Sequence, residues 1–468
     1  MSWLDDARAD GAWRGVRVCV AGIGVSGAAA ARVLAARGAR VTAVDGRDGE
    51  QERARAVELA SLGVECRLGG SAAEAVPDGT ELLVTSPGWR PDQPLLAAAA
   101  TAGVPVWGEV ELAWRLRDPA VPWLGVTGTN GKTTTVQMLE SILVAAGCRA
   151  VAAGNVGLPL LDAVLADPAY DVIAVEVSSF QLHWTESVRF HAGAVLNVAP
   201  DHLDWHGSMA AYAETKARIW RGARWALANA DAPETVRLAG DREGVVTFTL
   251  GEPAAGQLGV SGGRLVDRAF GDGDEVVLAA VVDVRPPAPH NLANALAAAG
   301  LARALGVPAS AVRDGLRAFA PGAHRIALVG TVAGVDYVDD SKATNPHAAA
   351  ASLAAYGSVV WVAGGLAKGA RFEDLVEGAA GRLRGVVLLG RDRALVAEAL
   401  ARHAPDVPVV DVPGTDTGAM DDVVRAAAGL ARPGDTVLLA PACASMDMFS
   451  SYAERGDAFA AAVGRLST

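Results

Sequence analysis

The chain has 468 residues, about three domains' worth at ~150 residues each, with 51% hydrophobic residues, 20% charged residues and a net charge of −12. That is ordinary globular composition, and no basic surface stands out to bind nucleic acid or an anionic membrane, so neither partner is expected. The acidic opening, Met1-Ser2-Trp3-Leu4-Asp5-Asp6, is unlike a signal peptide, and no run of about 18 uncharged apolar residues occurs.

The first block covers 1–116. A β-type run, Val16-Arg17-Val18-Cys19-Val20, leads into Gly22-Ile23-Gly24-Val25-Ser26-Gly27, then an alanine-rich helical stretch and a second strand ending at Asp45. Strand alternating with helix reads as a parallel α/β sheet. The glycines with an acid about 20 residues on match the dinucleotide fingerprint. That motif puts a diphosphate on a helix N-terminus, and both NAD(P) and another diphosphate-bearing ligand fit it.

Asp118-Pro119-Ala120-Val121-Pro122 reads as a linker into block two, 117–320. The strand Trp123-Leu124-Gly125-Val126 precedes Gly128-Thr129-Asn130-Gly131-Lys132-Thr133-Thr134 and a helical pattern. A glycine-rich loop opening a helix aims backbone N–H groups at phosphates. Lys132 would reach the terminal phosphates, and the Thr133 hydroxyl would ligate Mg²⁺. Val126 stands where the usual spacing has glycine, so the loop is a shortened variant. The apolar run Asp171-Val172-Ile173-Ala174-Val175-Glu176 ends in a carboxylate, where a metal-directed acid belongs in a nucleotide-binding sheet. After another apolar strand, 194–198, comes Asp201-His202-Leu203-Asp204. His202 could ligate a second Mg²⁺, although imidazole is unusual for so hard a cation; a plain loop histidine is the alternative. Residues 251–289 read as a small β excursion. Block three, 321–468, carries expected strands at 335–338, 359–363, 386–389 and 437–439. Polar loops follow three of its strands: Asp339-Asp340-Ser341-Lys342-Ala343-Thr344-Asn345, Gly364-Gly365-Leu366-Ala367-Lys368-Gly369 and Ala442-Cys443-Ala444-Ser445-Met446-Asp447. Their lysines and hydroxyls suit a small substrate bearing carboxylates.

Lysine usage sharpens this reading. Lys and Arg total 41, yet only Lys132, Lys216, Lys342 and Lys368 are lysines. An arginine-heavy genome strips lysine from surfaces, and lysine survives where a compact or neutralisable amine is needed. Lys216 sits on an expected helix, Tyr212-Ala213-Glu214-Thr215-Lys216-Ala217-Arg218. A neutral amine there could take up CO₂ as a carbamate, adding anionic oxygens beside a metal. The four cysteines, Cys19, Cys66, Cys148 and Cys443, are scattered without a CxxC pair. That fits a reduced cytoplasm and argues against a thiolate metal site.

In this order the motifs resemble the Mur ligase family, ATP-dependent amide-forming enzymes of peptidoglycan precursor synthesis, over essentially the whole chain. The phosphate loop, Glu176-Val177-Ser178-Ser179, Asp201-His202 and His290-Asn291 through Asn294 look like the shared central ATPase domain. Asp340 to Asn345 and Pro441-Ala442-Cys443-Ala444-Ser445 look like the branch that adds D-glutamate to UDP-N-acetylmuramoyl-L-alanine. Other branches, and folylpolyglutamate synthetases, share the central block but should differ in block three. A distinct alternative is an NAD(P)-binding oxidoreductase.

The resemblance implies an α/β fold in three domains: an N-terminal Rossmann-like domain, a central P-loop ATPase with a mainly parallel sheet, and a C-terminal Rossmann-like domain. It implies that Gly24, Val25, Ser26, Asp45 and Ser86 hold the UDP end of the muramoyl substrate, in place of NAD. ATP would lie on Gly128, Thr129, Asn130, Gly131, Lys132, Thr133 and Thr134. Asn294 would face the adenine, and Arg325 and Asp340 would close the nucleotide site. Asn155 and Ser178 would lie near the reacting carboxylate. Thr133, Glu176, His202 and a carbamylated Lys216 would hold two Mg²⁺ ions. Lys342, Thr344, Lys368, Ser445, Met446 and Tyr452 would place D-glutamate. Tyr452 stands where phenylalanine is familiar, and Leu366 where the family has an acid before the lysine. A cytoplasmic monomer serving cell wall biogenesis, cell shape and cell division is expected, with block three closing over block two to exclude water.

Overall fold

The computed structural model describes residues 7–8, 11–271, 274–414 and 416–466. The acidic opening segment, residues 1–6, lies outside them. The chain folds into two compact units. One runs through Asp283 and resumes over Ala293–Phe319; the other holds Val284–Leu292 and the residues from Ala320 on.

The first unit contains two sheets. The N-terminal sheet has five parallel strands in the order Glu65–Leu68, Arg40–Asp45, Arg17–Ala21, Leu82–Thr85 and Val106–Gly108. Leu82–Thr85 is buried along its whole length, as a parallel strand covered on both faces must be. The helix Val25–Ala36 opens directly from the glycine loop after Arg17–Ala21.

The second sheet has nine strands. Its parallel part runs Val245–Phe248, Trp225–Asn229, Ala192–Val195, Trp123–Thr127, Val172–Glu176, Ala150–Gly154. The expected excursion over 251–289 is no separate lobe. Its strands Gln257–Ser261, Arg264–Asp267 and Val276–Ala280 extend this sheet, the last two pairings antiparallel. The strand expected at 194–198 ends earlier, at Val195. Asn197 is drawn out of the ladder because its side chain pairs with the Asn130 backbone on both sides, N–H to Oδ1 at 2.9 Å and Nδ2 to carbonyl at 3.1 Å.

These two domains share one apolar core. Trp13 packs edge-on against Trp107 at 6.4 Å, and Trp114 against Trp123 at 5.1 Å across the expected linker. The helix Lys132–Ala145 is closed on its far side by Ala309–Ala318. There Gly315 lets the two helices approach so closely that a Cβ would lie 2.4 Å from Ile142 Cα.

The second unit carries a six-stranded sheet in the order Ala327–Val332, Val335–Asp339, Thr436–Leu439, Val359–Gly364, Leu383–Leu389, Val409–Asp411. Only the Ala327–Val332 pairing is antiparallel. This edge strand was not expected from the sequence: Ala327–Val332 is short, alternates poorly and is nowhere fully buried. Among the described residues no helix is long and apolar enough to cross a membrane.

Candidate functional site

The phosphate loop forms where a fully buried strand, Trp123–Thr127, turns into the helix Lys132–Ala145. Gly131 caps that helix in the left-handed region (φ 86°), and a Cβ there would stand 2.4 Å from Asn294 Oδ1. Glycine is thus required twice over, by backbone and by space. Asn294 packs against the loop itself.

Two of the four lysines meet at one carbonyl. Lys132 Nζ donates to Gly128 O and Thr129 O, both at 2.9 Å, and Lys216 Nζ donates to Gly128 O at 2.8 Å. Lys216 projects from the helix Met209–Ala217, is 1% exposed, and lies 4.4 Å from the centroid of the Tyr212 ring. Burial, then the nearby Lys132 charge, hold its amine well below the ordinary lysine range. Tyr212 OH and Thr129 Oγ1 are 3.1 Å apart, and Thr129 Oγ1 also bonds the Ala199 backbone.

Glu176 ends its strand buried, at 1% exposure. Its Oε1 accepts from Asn155 Nδ2 at 2.9 Å, while Oε2 is buried without a hydrogen-bond partner. A buried, bare carboxylate oxygen is costly unless a cation or donor meets it. The residues present therefore fit a divalent ion. Gly154 makes the approach of the Asn155 loop possible, since a Cβ there would stand 2.3 Å from Glu176 O.

His202 stands in a left-handed conformation (φ 53°), with its ring 4.7 Å from Phe180 and Nε2 3.5 Å from Asp201 Oδ2. Burial lowers its pKa. No hydrogen bond or ion pair joins His202 to Glu176, and among the described residues no three His, Cys, Asp or Glu side chains converge to hold a metal. Ser178 caps the helix Ser179–His183 in a capping box with Gln181. His206, which the sequence reading passed over, bonds Ser179 Oγ through Nε2 at 2.9 Å and stacks on Phe180; burial drops its pKa to about 4. Its position four residues after His202 was the available signal.

On the N-terminal sheet, Gly22 and Gly27 are forced by crowding. A Cβ on Gly22 would meet Trp89 Nε1 at 2.7 Å, and one on Gly27 the Gly22 carbonyl at 1.7 Å. Ser86 Oγ donates to Gly22 O at 3.3 Å. Asp45 accepts from Ile23 N and Arg47 N, each at 3.0 Å, and pairs with the Arg47 guanidinium. Burial raises its carboxyl and these bonds outweigh that, leaving it below the usual range. Its oxygens thus brace the glycine loop. Gly24, Val25 and Ser26 form the start of the helix, with Val25 exposed.

In the second unit, Asp340 is buried and pushed up to about 6, against the lowering effect of its Ser352 bond and of Arg325. Thr344 N donates to Lys342 O at 2.8 Å, and Lys342 Nζ lies 3.9 Å from the centroid of the Tyr452 ring. Tyr452 in place of phenylalanine keeps the ring face that this cation uses. The Leu366 departure is absorbed by its backbone: Leu366 and Ala444 exchange two hydrogen bonds, at 2.9 and 3.0 Å. That pairing brings the loop of Lys368, itself left-handed at φ 52°, beside the loop of Ser445 and the exposed Met446. Arg455, unremarked in the sequence, is fully buried and ties Ser341 O, Ser341 Oγ and Cys443 O together. An arginine in an amphipathic helix gives no sign of such a role.

Family models match in the same order as these structures. The Mur ligase MurD-like N-terminal domain covers 16–108, the Mur ligase middle domain 126–302, and the Mur ligase glutamate ligase domain 324–443. The chain is also 65% identical over 461 residues to the UDP-N-acetylmuramoylalanine–D-glutamate ligase of Streptomyces avermitilis, spanning 96% of this chain and 98% of the relative. The chain belongs to the Mur ligase family. The Streptomyces coelicolor protein of the same description is 64% identical over 466 residues, with 97% and 98% covered. Among solved structures, the pseudomurein peptide ligase type C of Methanothermus fervidus shares the Mur ligase fold at TM-score 0.59 and 18% identity, covering 97% of this chain and 100% of that one.

Proposed function

We propose that this Mur ligase joins D-glutamate to UDP-N-acetylmuramoyl-L-alanine, consuming ATP and releasing ADP and phosphate, as a cytoplasmic monomer in peptidoglycan precursor synthesis. Cell wall biogenesis, cell shape and cell division would depend on it. The observation that carries the reading is the meeting of Lys132 and Lys216 at the Gly128 carbonyl. The names of the relatives supply the substrates.

A carboxylate is a poor electrophile because oxide would have to leave. Transfer of the γ-phosphoryl group of ATP to the alanyl carboxylate makes an acyl phosphate, whose leaving group is phosphate. The neutral amine of D-glutamate attacks the acyl carbon, the tetrahedral intermediate collapses to an amide, and the amine's spare proton goes to solvent. In this reading Gly128, Thr129, Asn130, Gly131, Thr133 and Thr134 cradle the phosphates, and Lys132 turns from the loop carbonyls to the terminal phosphate. Asn294, Arg325 and Asp340 hold the rest of the nucleotide. Gly24, Val25, Ser26, Asp45 and Ser86 take the UDP end, and Asn155 and Ser178 the reacting end. Lys342, Thr344, Lys368, Ser445, Met446 and Tyr452 place D-glutamate. Mg²⁺, held by Thr133, Glu176, His202 and a carbamate on Lys216, would neutralise phosphate charge. Asn155 orients Glu176 for that duty.

Phosphate release from ATP is the test, omitting one component at a time. Release that needs both substrates, with the amide seen by mass, is expected. Release independent of D-glutamate would overturn the choice of amino acid. For the carbamate, Lys216→Ala should be partly rescued by short carboxylic acids, and unchanged turnover in Lys216→Arg would refute it.

A further inference from the structure

The strand Leu383–Leu389 runs out into a short loop, Gly390-Arg391-Asp392, before the helix Arg393–His403. No motif marks this loop, yet it lies between the loops of Lys368 and Ser445. On one side the Asp392 backbone N–H donates to Gly365 O at 3.0 Å, and Asp392 Oδ2 accepts from the Ala367 N–H at 2.8 Å. On the other, the Arg391 N–H donates to Asp447 Oδ2, also at 2.8 Å. The backbones touch: a Cβ on Gly390 would stand 2.5 Å from Gly365 Cα. All these residues belong to the second compact unit.

Asp392 is the N-cap of Arg393–His403, but its side chain makes no capping bond there. An aspartate in that place ordinarily accepts from the second or third N–H of its own helix and stabilises the helix start. Here the carboxylate turns away and reaches a residue 25 positions earlier. That residue, Ala367, directly precedes Lys368, which is left-handed at φ 52°. A side chain keeps such a backbone conformation only where its surroundings impose it. Asp392 grips this loop at Gly365 and at Ala367, while Leu366 between them is bonded to Ala444 in the Ser445 loop.

We propose that Asp392 is a positioning residue for D-glutamate: its carboxylate, withheld from its own helix, fixes the backbone from which Lys368 reaches the amino acid. The proposal rests on the reading of Lys368 given above. A lysine is a point charge on a flexible stem, so the backbone it starts from is the rigid part of its placement. With that backbone released, the ammonium meets the substrate's carboxylate in fewer of its conformations, and D-glutamate binds less well. The role needs an acceptor oxygen at the right reach and no charge. Asparagine keeps that oxygen. Serine caps a helix as well as aspartate does, but is too short to span to Ala367.

The experiment compares wild type with Asp392→Asn, Asp392→Ser and Asp392→Ala. KM is measured for each of the three substrates, deuterium exchange is followed at the Ala367 amide of ligand-free protein, and thermal midpoints are recorded. Expected for the Ser and Ala variants are a D-glutamate KM at least fivefold higher, with KM for ATP and for UDP-N-acetylmuramoyl-L-alanine within twofold of wild type, and faster Ala367 exchange. Asp392→Asn should match wild type within twofold throughout. A merely structural role would follow capping quality instead, leaving Ser like wild type and lowering the thermal midpoint of Ala. A Ser variant with D-glutamate KM within twofold of wild type, an Asn variant as impaired as Ala, or a parallel rise in all three KM values would overturn the proposal. If wild type does not turn over these substrates, the functional reading fails. The clamp is then judged on Ala367 exchange alone, and identical exchange in wild type and Asp392→Ser refutes it.

Discussion

Replacing Lys216 by methionine should make the protein more stable while it stops working. The amine is fully enclosed, and burial together with Lys132 disfavours its charged form. Removing it costs one hydrogen bond, worth about 1 kcal/mol net. The Gly128 carbonyl is not orphaned, because Lys132 still donates to it at 2.9 Å. Replacing buried ionic groups by apolar residues of similar volume is at best stabilising by ~1–4 kcal/mol, and the enclosed Lys216 amine falls in that class. The balance is a gain of ~0–3 kcal/mol, or roughly 0–6 °C at about 2 °C per kcal/mol for a unit of this size. The pH dependence has a definite sign. A lysine whose folded-state pKa is depressed penalises folding below its unfolded value of 10.5, and the penalty fades as pH rises toward that value. The methionine variant's advantage should therefore be larger at pH 7 than at pH 10. Scanning calorimetry of both proteins in CO₂-free buffer at the two pH values measures it, alongside phosphate release at pH 7. A lower Tm for the variant, or a gain that does not shrink with pH, would refute the reasoning.

Three further outcomes follow from the same geometry. Gly131→Ala forces a Cβ to 2.4 Å from Asn294 Oδ1 at a left-handed φ, so ATP affinity measured by calorimetry should fall at least tenfold, and unchanged affinity would count against the loop assignment. Asp340 is held at about 6 against 3.8 when unfolded, so its contribution to folding is most favourable below about pH 4 and is lost as pH rises through 6. The stability of Asp340→Asn relative to wild type, read from denaturant midpoints, should therefore grow by ~3 kcal/mol between pH 4 and pH 7. Gly315→Ala places a methyl 2.4 Å from Ile142 Cα and should cost ~1–3 kcal/mol by overpacking the helix that begins at the phosphate loop, measured as a lower urea midpoint.

Much of the molecule was legible in the chain itself. Continuous apolar runs such as Val172–Glu176 marked buried parallel strands, because a strand covered on both faces must be apolar throughout. Glycine spacing at 22–27 and 128–131 located two tight strand-to-helix turns, since a left-handed backbone or a close approach tolerates little else. Scarcity of lysine singled out Lys132 and Lys216 before any distance was known.

Other features depended on residues far apart in sequence. The convergence of Lys132 and Lys216 on Gly128 joins positions 84 residues apart in number, and neither local propensity nor periodicity encodes that. The continuation of the central sheet through 257–280 was hidden, because short apolar runs do not reveal which edge they will join. Arg455 and His206 look like solvated charges in the sequence. Packing gives each of them a task, and packing is a property of what the rest of the chain places around a side chain. Local chemistry wrote the loops, and tertiary packing decided which polar side chains would be removed from water and held to one partner.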